Sequence, residues 1–391
     1  MINDHQYVAD LHIHLGQTAS NRPVKITAAR TLTLENIIDY ARTVKGIDII
    51  GVIDCHVPEV LEGLKHSIES GEAYEWKGGG IRFPDVTLIL GTEIEVYDEE
   101  SLGPVHVLAY TPTWNAMMEL SSWMGSRMKN PTLSSQRLYE TSIVLQQKVK
   151  ELGGLFIPAH AFTPFKGVYG KGVKQSMGEI FDLALIDGIE LGLSADTSMA
   201  DQVEELHHFP FLSNSDAHSL EKLAREYQIL HLYEPSFQAF QSALRDKDKC
   251  SIVANYGLNP YLGKYYETTC AQCRTPMKGS ACETCGSSKV VKGVSERLTE
   301  LATASENNGK QRPPYVHQIP LEFIPKVGKR TLVRLREAFG TDMDILHQAT
   351  FEQLCDVIPN HIAEAIVIAR EGKATIKRGG GGHYGKMIGT E

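Results

Sequence analysis

In the first two thirds of the chain, the short apolar runs are followed directly by side chains that can bind metal ions. This repeated placement restricts the fold more than any other feature. Apolar runs such as Ile47–Ile53 and Val86–Leu90 have the length and composition of buried strands. Helix-like stretches, Leu34–Val44, Ser134–Leu152 and Ser176–Asp187, alternate with the strands. This alternation predicts an α/β domain, barrel-like, with active residues at the carboxyl ends of its strands. The other predicted strands are Val105–Ala109, Leu155–Ile157, Gly188–Leu191 and Phe211–Ser213.

Histidine and carboxylate side chains stand at six of these strand ends. His12 and His14 are two residues apart, so in an extended chain they point to the same face and can reach one cation. Asp54 and His56 repeat this spacing after the next strand. Such mixed ligands suit zinc, manganese or iron, and they outnumber the needs of one four-coordinate ion. We therefore expect two or three divalent ions, Zn²⁺ or alternatively Mn²⁺ or Mg²⁺, held by His12, His14, Asp54, His56, Glu93, His106, His160, Asp216 and His218.

Four of the seven cysteines lie within sixteen positions, as two Cys-x-x-Cys pairs separated by eight residues. Two such pairs present four thiolates in a tetrahedron, which is the ligand set of a closed structural zinc site. A redox role needs a single pair, and iron–sulfur ligation is the lesser alternative. The sequence thus predicts one structural Zn²⁺ on Cys270, Cys273, Cys282 and Cys285.

A basic turn near the C-terminus, Ile324–Leu332, has the pattern of a helix-hairpin-helix. The chain is expected to turn at Val327-Gly328 and to start a helix near Lys329, whose exposed amides would bind a phosphate without reading sequence. The predicted DNA contacts are Lys326, Gly328, Lys329 and Arg330. Val357–Ala365 is a weaker second copy, and a plain helical bundle for protein contacts is the alternative.

The charge is unevenly distributed along the chain. The net charge is −9, yet the segment from Glu267 onward has 17 basic and 14 acidic residues. An acidic front half can hold cations and a mildly basic back half can meet phosphates. No apolar run is long enough for a transmembrane helix, and Met1–Asp10 lacks a signal sequence, so a cytoplasmic, nucleoid-associated protein is expected. Monomer is the default state, and recruitment by a sliding clamp is left open.

These features divide the chain into five segments. An α/β domain over residues 1–258 is followed by a four-Cys zinc module over 262–300 and a polar linker over 301–314. An all-α helix-hairpin-helix domain spans 315–375. A glycine-rich tail, 376–391, is expected either to be flexible or to fold back on DNA or on the first domain.

The first segment resembles the polymerase and histidinol phosphatase superfamily. The resemblance is carried by Asp10-Leu11-His12-Ile13-His14, Gly91-Thr92-Glu93, His160 and Ser215-Asp216-Ala217-His218, and it covers roughly residues 1–250. It implies a distorted β/α barrel with a trinuclear metal centre that cleaves phosphate esters. Two departures stand out. Ala19–Arg22 replaces a common Ser-Asp-Gly turn, and Cys55 separates Asp54 from His56, which the superfamily usually has adjacent.

The order of the three domains over the full length resembles the endonuclease Q family. This resemblance implies a repair enzyme that nicks double-stranded, and also single-stranded, DNA 5′ to deaminated bases (uracil, hypoxanthine, xanthine) and abasic sites. Asp216, Glu93 and His218 are then the catalytic candidates, with Asp216 essential and Glu93 bridging the ions. A small-molecule phosphoesterase of the histidinol-phosphatase type is the alternative, and a non-catalytic DNA-binding scaffold is a second one.

A flipped lesion base needs a pocket, and two loops rich in glycine and aromatic residues are candidates. One follows His160 over Phe162–Lys171, and the other is Tyr74–Gly80. Ordinary surface loops are the alternative for both. The candidate pocket residues are Tyr74, Lys77, Gly79, Phe165 and Tyr169.

Overall fold

The structure is a computed structural model that describes residues 5–304 and 311–389. Its strands are β1 (Gln6–Ile13), β2 (Ile49–Val52), β3 (Tyr74–Glu75), β4 (Ile81–Phe83), β5 (Val86–Val96), β6 (Val105–Thr111), β7 (Leu155–Pro158), β8 (Ile189–Glu190), β9 (Phe211–Leu212), β10 (Tyr227–His231), β11 (Ser251–Leu258), β12 (Thr269–Cys270), β13 (Val290–Val291), β14 (Tyr315–Gln318), β15 (Thr375–Lys377) and β16 (Lys386–Gly389).

The helices surround these strands. They are α1 (Leu34–Tyr40), α2 (Pro58–Glu69), α3 (Trp114–Gly125), α4 (Ser142–Glu151), α5 (Thr197–Ala200), α6 (Phe237–Leu244), α7 (Val294–Leu301), α8 (Lys329–Phe339), α9 (Asp342–His347), α10 (Phe351–Val357) and α11 (Asn360–Arg370). Two π-helical segments are Ala41–Lys45 and Val168–Gly172, and the 3₁₀ turns are Met177–Glu179, Leu183–Leu185, Glu204–His208, Leu220–Lys222, Pro260–Leu262 and Leu321–Phe323. No helix of the described residues is long and apolar enough to cross a lipid bilayer.

Three parallel strands, β1, β2 and β5, form the middle of a ten-stranded sheet. Every residue of β2 is buried, which explains why it reads as an unbroken apolar run. At Gly51 the neighbouring strand comes so close that a Cβ would lie 2.4 Å from the carbonyl oxygen of Leu11. On one side the sheet continues through β10 and β11 to β14, and on the other β5 pairs with β4 along its first half and β6 along its second.

Backbone hydrogen bonds continue beyond the sheet and return to β1. β7 pairs antiparallel with β6, and the Ala161 N–H after β7 donates to the Glu190 carbonyl of β8 at 2.8 Å. β8 and β9 are parallel, and the Ala217 N–H then donates to the His12 carbonyl at 3.2 Å. The carboxyl ends of β1, β2, β5 and β7 therefore face one region, which confirms the α/β prediction.

The predicted helix Ser134–Leu152 is shorter in the structure. It begins only at Ser142, with the Thr141 hydroxyl accepting from the Val144 N–H at 3.4 Å as its N-cap. The preceding residues instead cross the end of the sheet, where Ser134 Oγ lies 3.1 Å from His14 Nδ1. A tertiary contact thus keeps residues 134–141 out of the helix in which local preference would place them.

The predicted helix Ser176–Asp187 is replaced by two single 3₁₀ turns. The Glu179 carboxylate accepts from the Lys174, Gln175 and Ser176 N–H groups at 2.7–2.9 Å. Such side-chain bonds to the backbone compete with a continuous helix, and they account for the difference. Leu34–Val44, in contrast, is helical, as α1 followed by a π-helical segment that ends at Gly46, whose φ is 76°.

The cysteine segment is a small two-stranded unit formed by β12 and β13. Its four sulfur atoms lie within 4.8 Å of one another, with Cys270 and Cys285 3.5 Å apart and Cys273 and Cys282 3.4 Å apart. The predicted linker, residues 301–314, starts at the last residue of α7, and its part over 305–310 lies outside the described residues.

Four helices, α8 to α11, enclose a separate apolar core. α8 starts at Lys329 with Gly328 as its N-cap, where the sequence predicts the start of a helix. Asp342 is buried and pairs with Arg336 at 2.8 Å and with Lys45 of the first π-helical segment at 3.1 Å, so it joins the two regions. The tail residues 375–389 are ordered, because β15 and β16 pair as a hairpin.

Candidate metal centre and cleft

Two groups of three ligand-type side chains meet beyond the ends of the central strands. His12, His14 and Asp216 form one group, and Glu93, His106 and His160 form the other; within each group the ligand atoms lie within 4.8 Å of one another. Asp216 Oδ1 is 3.5 Å from both His12 Nε2 and His14 Nε2. Ligand atoms that share one tetrahedral ion at about 2.0–2.2 Å lie roughly 3.3–3.6 Å from each other. These separations therefore fit a bound cation.

Glu93 stands between the two groups. Its Oε1 is 3.0 Å from His106 Nδ1 and 3.2 Å from His160 Nε2. Its Oε2 is 3.6 Å from His14 Nε2 of the first group. Its Oε1 is also 3.6 Å from His12 Nε2, so this one carboxylate lies close to ligand nitrogens of both groups, as a bridging ligand must.

Several buried polar atoms at this centre lack a hydrogen-bond partner among the described residues. They are His12 Nε2, His14 Nε2, His56 Nε2, His160 Nδ1 and Asp54 Oδ1. A buried polar atom without a partner is costly, and imidazole nitrogens and carboxylate oxygens are donors to divalent metals. The donor set and its unpaired atoms therefore fit divalent cations.

The charges at the centre are unbalanced in favour of the carboxylates. Burial opposes protonation of His12, but Glu190, Asp216 and Glu93 outweigh it and raise the pKa of His12 to about 10. Burial likewise disfavours the Asp216 carboxylate, but His12, His218 and His14 hold the pKa of Asp216 below its usual value. Lys25, 3.1 Å from Glu93 Oε2, is the described ammonium that pairs with this carboxylate. Added cations would relieve this excess of negative charge.

Two other carboxylates contact the Nδ1 atoms of His12 and His14, on the side of each ring away from its ligand atom Nε2. Glu190 Oε1 accepts from His12 Nδ1 at 2.9 Å and from the Asn214 amide at 2.8 Å, and Oε2 accepts from the His160 backbone N–H at 2.7 Å. Asp54 Oδ2 lies 3.1 Å from His14 Nδ1 and accepts from the Leu15 N–H at 2.8 Å. Carboxylates in this position fix the tautomer and the orientation of a ligating imidazole.

The remaining predicted ligands border the two groups. His56 hydrogen-bonds Thr92 Oγ1 through Nδ1 at 2.9 Å, and its Nε2 is unpaired, near Asp54. His218 Nδ1 is 3.5 Å from Asp216 Oδ1, and its ring is 4.8 Å from that of His14. The structure thus gathers all nine predicted ligands at one place, with Asp54, His56 and His218 outside the two groups of three.

The backbone is strained at two of the ligands. Asp216 has a φ of 45° and His160 a φ of 30°, both in the left-handed region. This region costs a residue with a Cβ roughly 1–2 kcal/mol, and such strain is concentrated at functional sites. The strain here turns the two side chains into the centre.

A cleft of about 650 Å³ opens onto the centre. Glu93, His106, His160, Asp216 and His218 form one wall of it. Its other lining residues include Lys25, Phe165, Lys166, Lys222, Arg225, Lys264, Tyr265 and Tyr384. The cleft therefore combines the ligand-type side chains of the centre with several basic and aromatic side chains.

Only part of the predicted lesion pocket borders this cleft. Phe165 lines it and packs edge-on against Tyr265 at a centroid distance of 5.3 Å. Tyr169 is fully buried, with its ring stacked on Phe162 and its hydroxyl bonded to Glu205.

The second predicted loop, Tyr74–Gly80, does not line this cleft. β3 and β4 pair at the start of β5, whereas Glu93 lies towards its end, and Tyr74, Lys77 and Gly79 are therefore not among the cleft residues. At Gly79, with a φ of 82°, a Cβ would lie 2.5 Å from the Pro112 carbonyl oxygen. The glycine there permits close packing against Pro112.

Several residues of the site were not identified from the sequence. Glu190 lies in the predicted strand Gly188–Leu191 and is the last residue of β8, so the rule that located the other ligands at strand ends extends to it. Asn214 precedes the Asp216 motif, and it follows the same rule. Lys25 and Tyr384 carry no such signal, because only the tertiary path of the chain brings them to the cleft.

Comparison with known proteins gives full-length matches. No protein-family model matches the chain. It is 53% identical to the uncharacterized protein YqxK of Bacillus subtilis over 381 residues, which are 97% of this chain and 98% of that protein.

Two solved structures share the fold of the whole chain. The lesion-specific endonuclease PfuEndoQ from Pyrococcus furiosus is 31% identical, with a TM-score of 0.83 and coverage of 98% of this chain and 95% of that one. Endonuclease Q in complex with a 27-mer duplex substrate, which has an abasic lesion at the active site, is 30% identical, with a TM-score of 0.85 and coverage of 99% and 97%. Because both structures are at least 30% identical to this chain and match it over nearly their whole length, the chain belongs to the endonuclease Q family.

Proposed function

We propose that this chain is a metal-dependent DNA repair endonuclease that nicks the phosphodiester bond 5′ to deaminated bases (uracil, hypoxanthine, xanthine) and abasic sites. The observation that carries the proposal is the meeting of two cation-binding groups, His12–His14–Asp216 and Glu93–His106–His160, in one open cleft. The full-length likeness to endonuclease Q, including its complex with an abasic duplex, supports DNA as the substrate. Damaged double-stranded DNA is the proposed partner.

The metal centre is assigned two or three divalent ions. Divalent cations bound there would supply an activated water and neutralise the oxygens of the scissile phosphate. Glu93, buried between the groups, would hold ions on both sides. Asp216, whose side chain is 30% exposed, is the carboxylate that a substrate in the cleft meets first. His218, 33% exposed beside it, is placed to donate to or accept from the reacting strand.

The first segment is assigned the distorted β/α barrel of the polymerase and histidinol phosphatase superfamily. The run of backbone contacts from β1 through β2, β5, β6, β7, β8 and β9 and back to β1 supports this assignment. Lesion recognition is assigned to the same cleft, with the damaged nucleotide rotated out of the duplex, because deaminated and missing bases cost less to extrude. Phe165 is then a candidate for contact with the extruded nucleotide.

The start of α8 is assigned the role of a sequence-independent phosphate site. α8 has no side-chain cap, so its first N–H groups are free to bind an anion, and Lys326, Lys329 and Arg330 surround them. The helix pair around Ile324–Leu332 and the pair around Pro359 would form the two hairpins of a helix-hairpin-helix domain.

Gly328→Glu is expected to weaken binding to every duplex alike. A Cβ at Gly328 would meet no atom within 4 Å, so the substitution leaves the fold intact and places a carboxylate where the phosphate binds. Losing one phosphate contact should raise the dissociation constant about tenfold and reduce the salt slope by about 1. Fluorescence anisotropy over a salt series measures both, with Gly328→Ala as the matched control. A loss confined to one lesion would contradict a role limited to phosphate.

Glu190→Gln is expected to weaken metal binding without removing any ligand. The amide cannot accept from His12 Nδ1, Asn214 and the His160 N–H as the carboxylate does, so His12 loses its fixed tautomer. Loss of such a partner typically lowers metal affinity about 10–100-fold. Competition with a chelator measures the affinity, and excess metal should restore nicking. The control is Glu204→Gln, which changes an exposed carboxylate on the 3₁₀ turn Glu204–His208. Equal metal affinity in the two variants would refute the positioning role of Glu190.

The proposal as a whole is tested with end-labelled duplexes that carry one uracil, inosine, xanthine or abasic site. The purified chain is incubated with each duplex in Mg²⁺, Mn²⁺, Zn²⁺ or chelator. A product one phosphodiester 5′ to the lesion, lost in chelator, supports the proposal. If every duplex stays uncut in every metal and the chain hydrolyses a small phosphomonoester instead, the result favours the histidinol-phosphatase type of activity and overturns the proposal.

A further inference from the structure

The C-terminal hairpin reaches the metal cleft. Between β15 and β16 the loop is fixed to residues 261–264, because the Gly379 N–H donates to the Tyr261 carbonyl at 2.7 Å and the Gly385 N–H to the Leu262 carbonyl at 2.9 Å. A Cβ at Gly385 would lie 2.3 Å from the Lys377 carbonyl oxygen, so glycine is needed for this close packing. The residue before Gly385, Tyr384, is thereby placed on the wall of the cleft.

Tyr384 is connected to the catalytic candidate Asp216 through one arginine. Arg225 Nη1 donates to the Tyr384 hydroxyl at 2.7 Å. The other guanidinium nitrogens donate to the Ser215 carbonyl at 2.6 Å and to the Asp216 carbonyl at 3.0 Å. Arg225 therefore holds the strained turn that carries Asp216 and the tail in one arrangement. Because the Tyr384 oxygen accepts from Arg225, its own O–H remains available to donate into the cleft.

The cleft wall beside Tyr384 is basic and incompletely neutralised. Lys264 Nζ lies 4.5 Å from the centroid of the Tyr384 ring, and no carboxylate of the described residues forms an ion pair with it. Burial and the charge of Arg225 lower the pKa of Lys264. Lys222, which also lines the cleft, pairs with Glu322 at 3.5 Å and lies 4.3 Å over the Phe323 ring. Two ammonium groups that line one cleft, one of them without an ion-pair partner among the described residues, can bind an anionic ligand.

We propose that Lys264, Lys222 and the Tyr384 hydroxyl form an anion subsite that binds a backbone phosphate of the substrate strand next to the scissile one. The inference rests on the proposed function, since the ligand-type side chains of the same cleft would hold the scissile phosphate. A strand with two successive phosphates can contact the ions with one phosphate and the basic side chains with the other. The C-terminal segment is then part of the substrate site and not an appendage of the helical domain.

The subsite is tested by the kinetics of nicking on an abasic duplex. Lys264→Met keeps the aliphatic stem over Tyr384 and removes the charge, and Tyr384→Phe keeps the ring and removes the hydroxyl. Loss of a single phosphate contact is expected to raise KM about tenfold for Lys264→Met and about threefold for Tyr384→Phe, and to lower the salt slope of binding by about 1 for the lysine variant. Metal content should match the parent protein, and Lys264→Arg should restore KM to within about threefold.

The control is Lys247→Met, which removes an exposed lysine that does not line the cleft. The subsite is overturned if Lys264→Met and Lys247→Met have the same KM and salt slope, or if Lys264→Met changes the metal content. A parent protein that does not nick the duplex refutes the proposed function itself. In that case duplex binding, measured by fluorescence anisotropy over a salt series, still decides the subsite. The salt slope of Lys264→Met is either lower than that of the parent protein by about 1, which supports the subsite, or unchanged, which overturns it.

Discussion

Asp216→Asn is expected to lower the rate of nicking at every lesion at least about a thousandfold, while binding to the same duplexes stays within a few-fold of the parent value. Asp216 Oδ1 is 3.5 Å from the Nε2 atoms of both His12 and His14, so the carboxylate is the anionic member of that group. Asparagine has the same shape and tolerates the left-handed backbone at φ 45°. The substitution therefore removes the charge and leaves the turn in place.

Retained duplex binding is expected because the proposed phosphate contacts of α8 lie outside the cleft. Single-turnover nicking of end-labelled duplexes gives the rate, and elemental analysis gives the metal content. Asp246→Asn is a matched control, since Asp246 also has a positive φ, of 50°, and is exposed away from the cleft. Full activity of the Asp216 variant with unchanged metal content would refute the catalytic role.

The ligands at strand ends could be predicted from the sequence because each obeys a local rule. Two side chains two residues apart in a strand share a face, and parallel strands present their carboxyl ends on one edge. His12, His14 and Glu93 follow from these rules alone. The position of Glu190 follows from them too. Its role as a hydrogen-bond acceptor that orients His12 does not, because orienting and ligating carboxylates look the same in a sequence.

Other parts of the site depend on the path of the chain through space. Lys25 lies in the segment between β1 and α1, and nothing local to it indicates Glu93 as its partner. The loop at Tyr74 has the composition of a binding loop, but its strand β3 pairs with β4, which pairs with the start of β5, and this puts the loop away from the predicted ligands. Tyr384 follows a run of glycines that is equally typical of a flexible tail, and its order comes from backbone bonds to residues more than a hundred positions earlier.

Cys282→Ser is expected to remove one zinc ion per chain and to unfold the unit around β12 and β13. Its buried apolar cluster consists of Cys270, Met277 and Cys282, so packing alone provides little stability. Thiolate–zinc bonds supply about 10–16 kcal/mol of folding free energy in comparably small units. Loss of one thiolate should therefore expose the segment between Lys264 and Gly293 to proteases while the first domain stays folded.

Limited proteolysis followed by mass measurement locates the cleavage, and elemental analysis of the purified chain counts the zinc. Cys355→Ser, in α10 and outside the four-sulfur cluster, is the matched control and should keep both the ion and the protection. α7 follows β13 and packs on the core of the first domain through Val294, Leu298 and Leu301, so it should stay protected when the unit unfolds. Unchanged zinc content and protease resistance in Cys282→Ser would show that the thiolates do not hold the unit together.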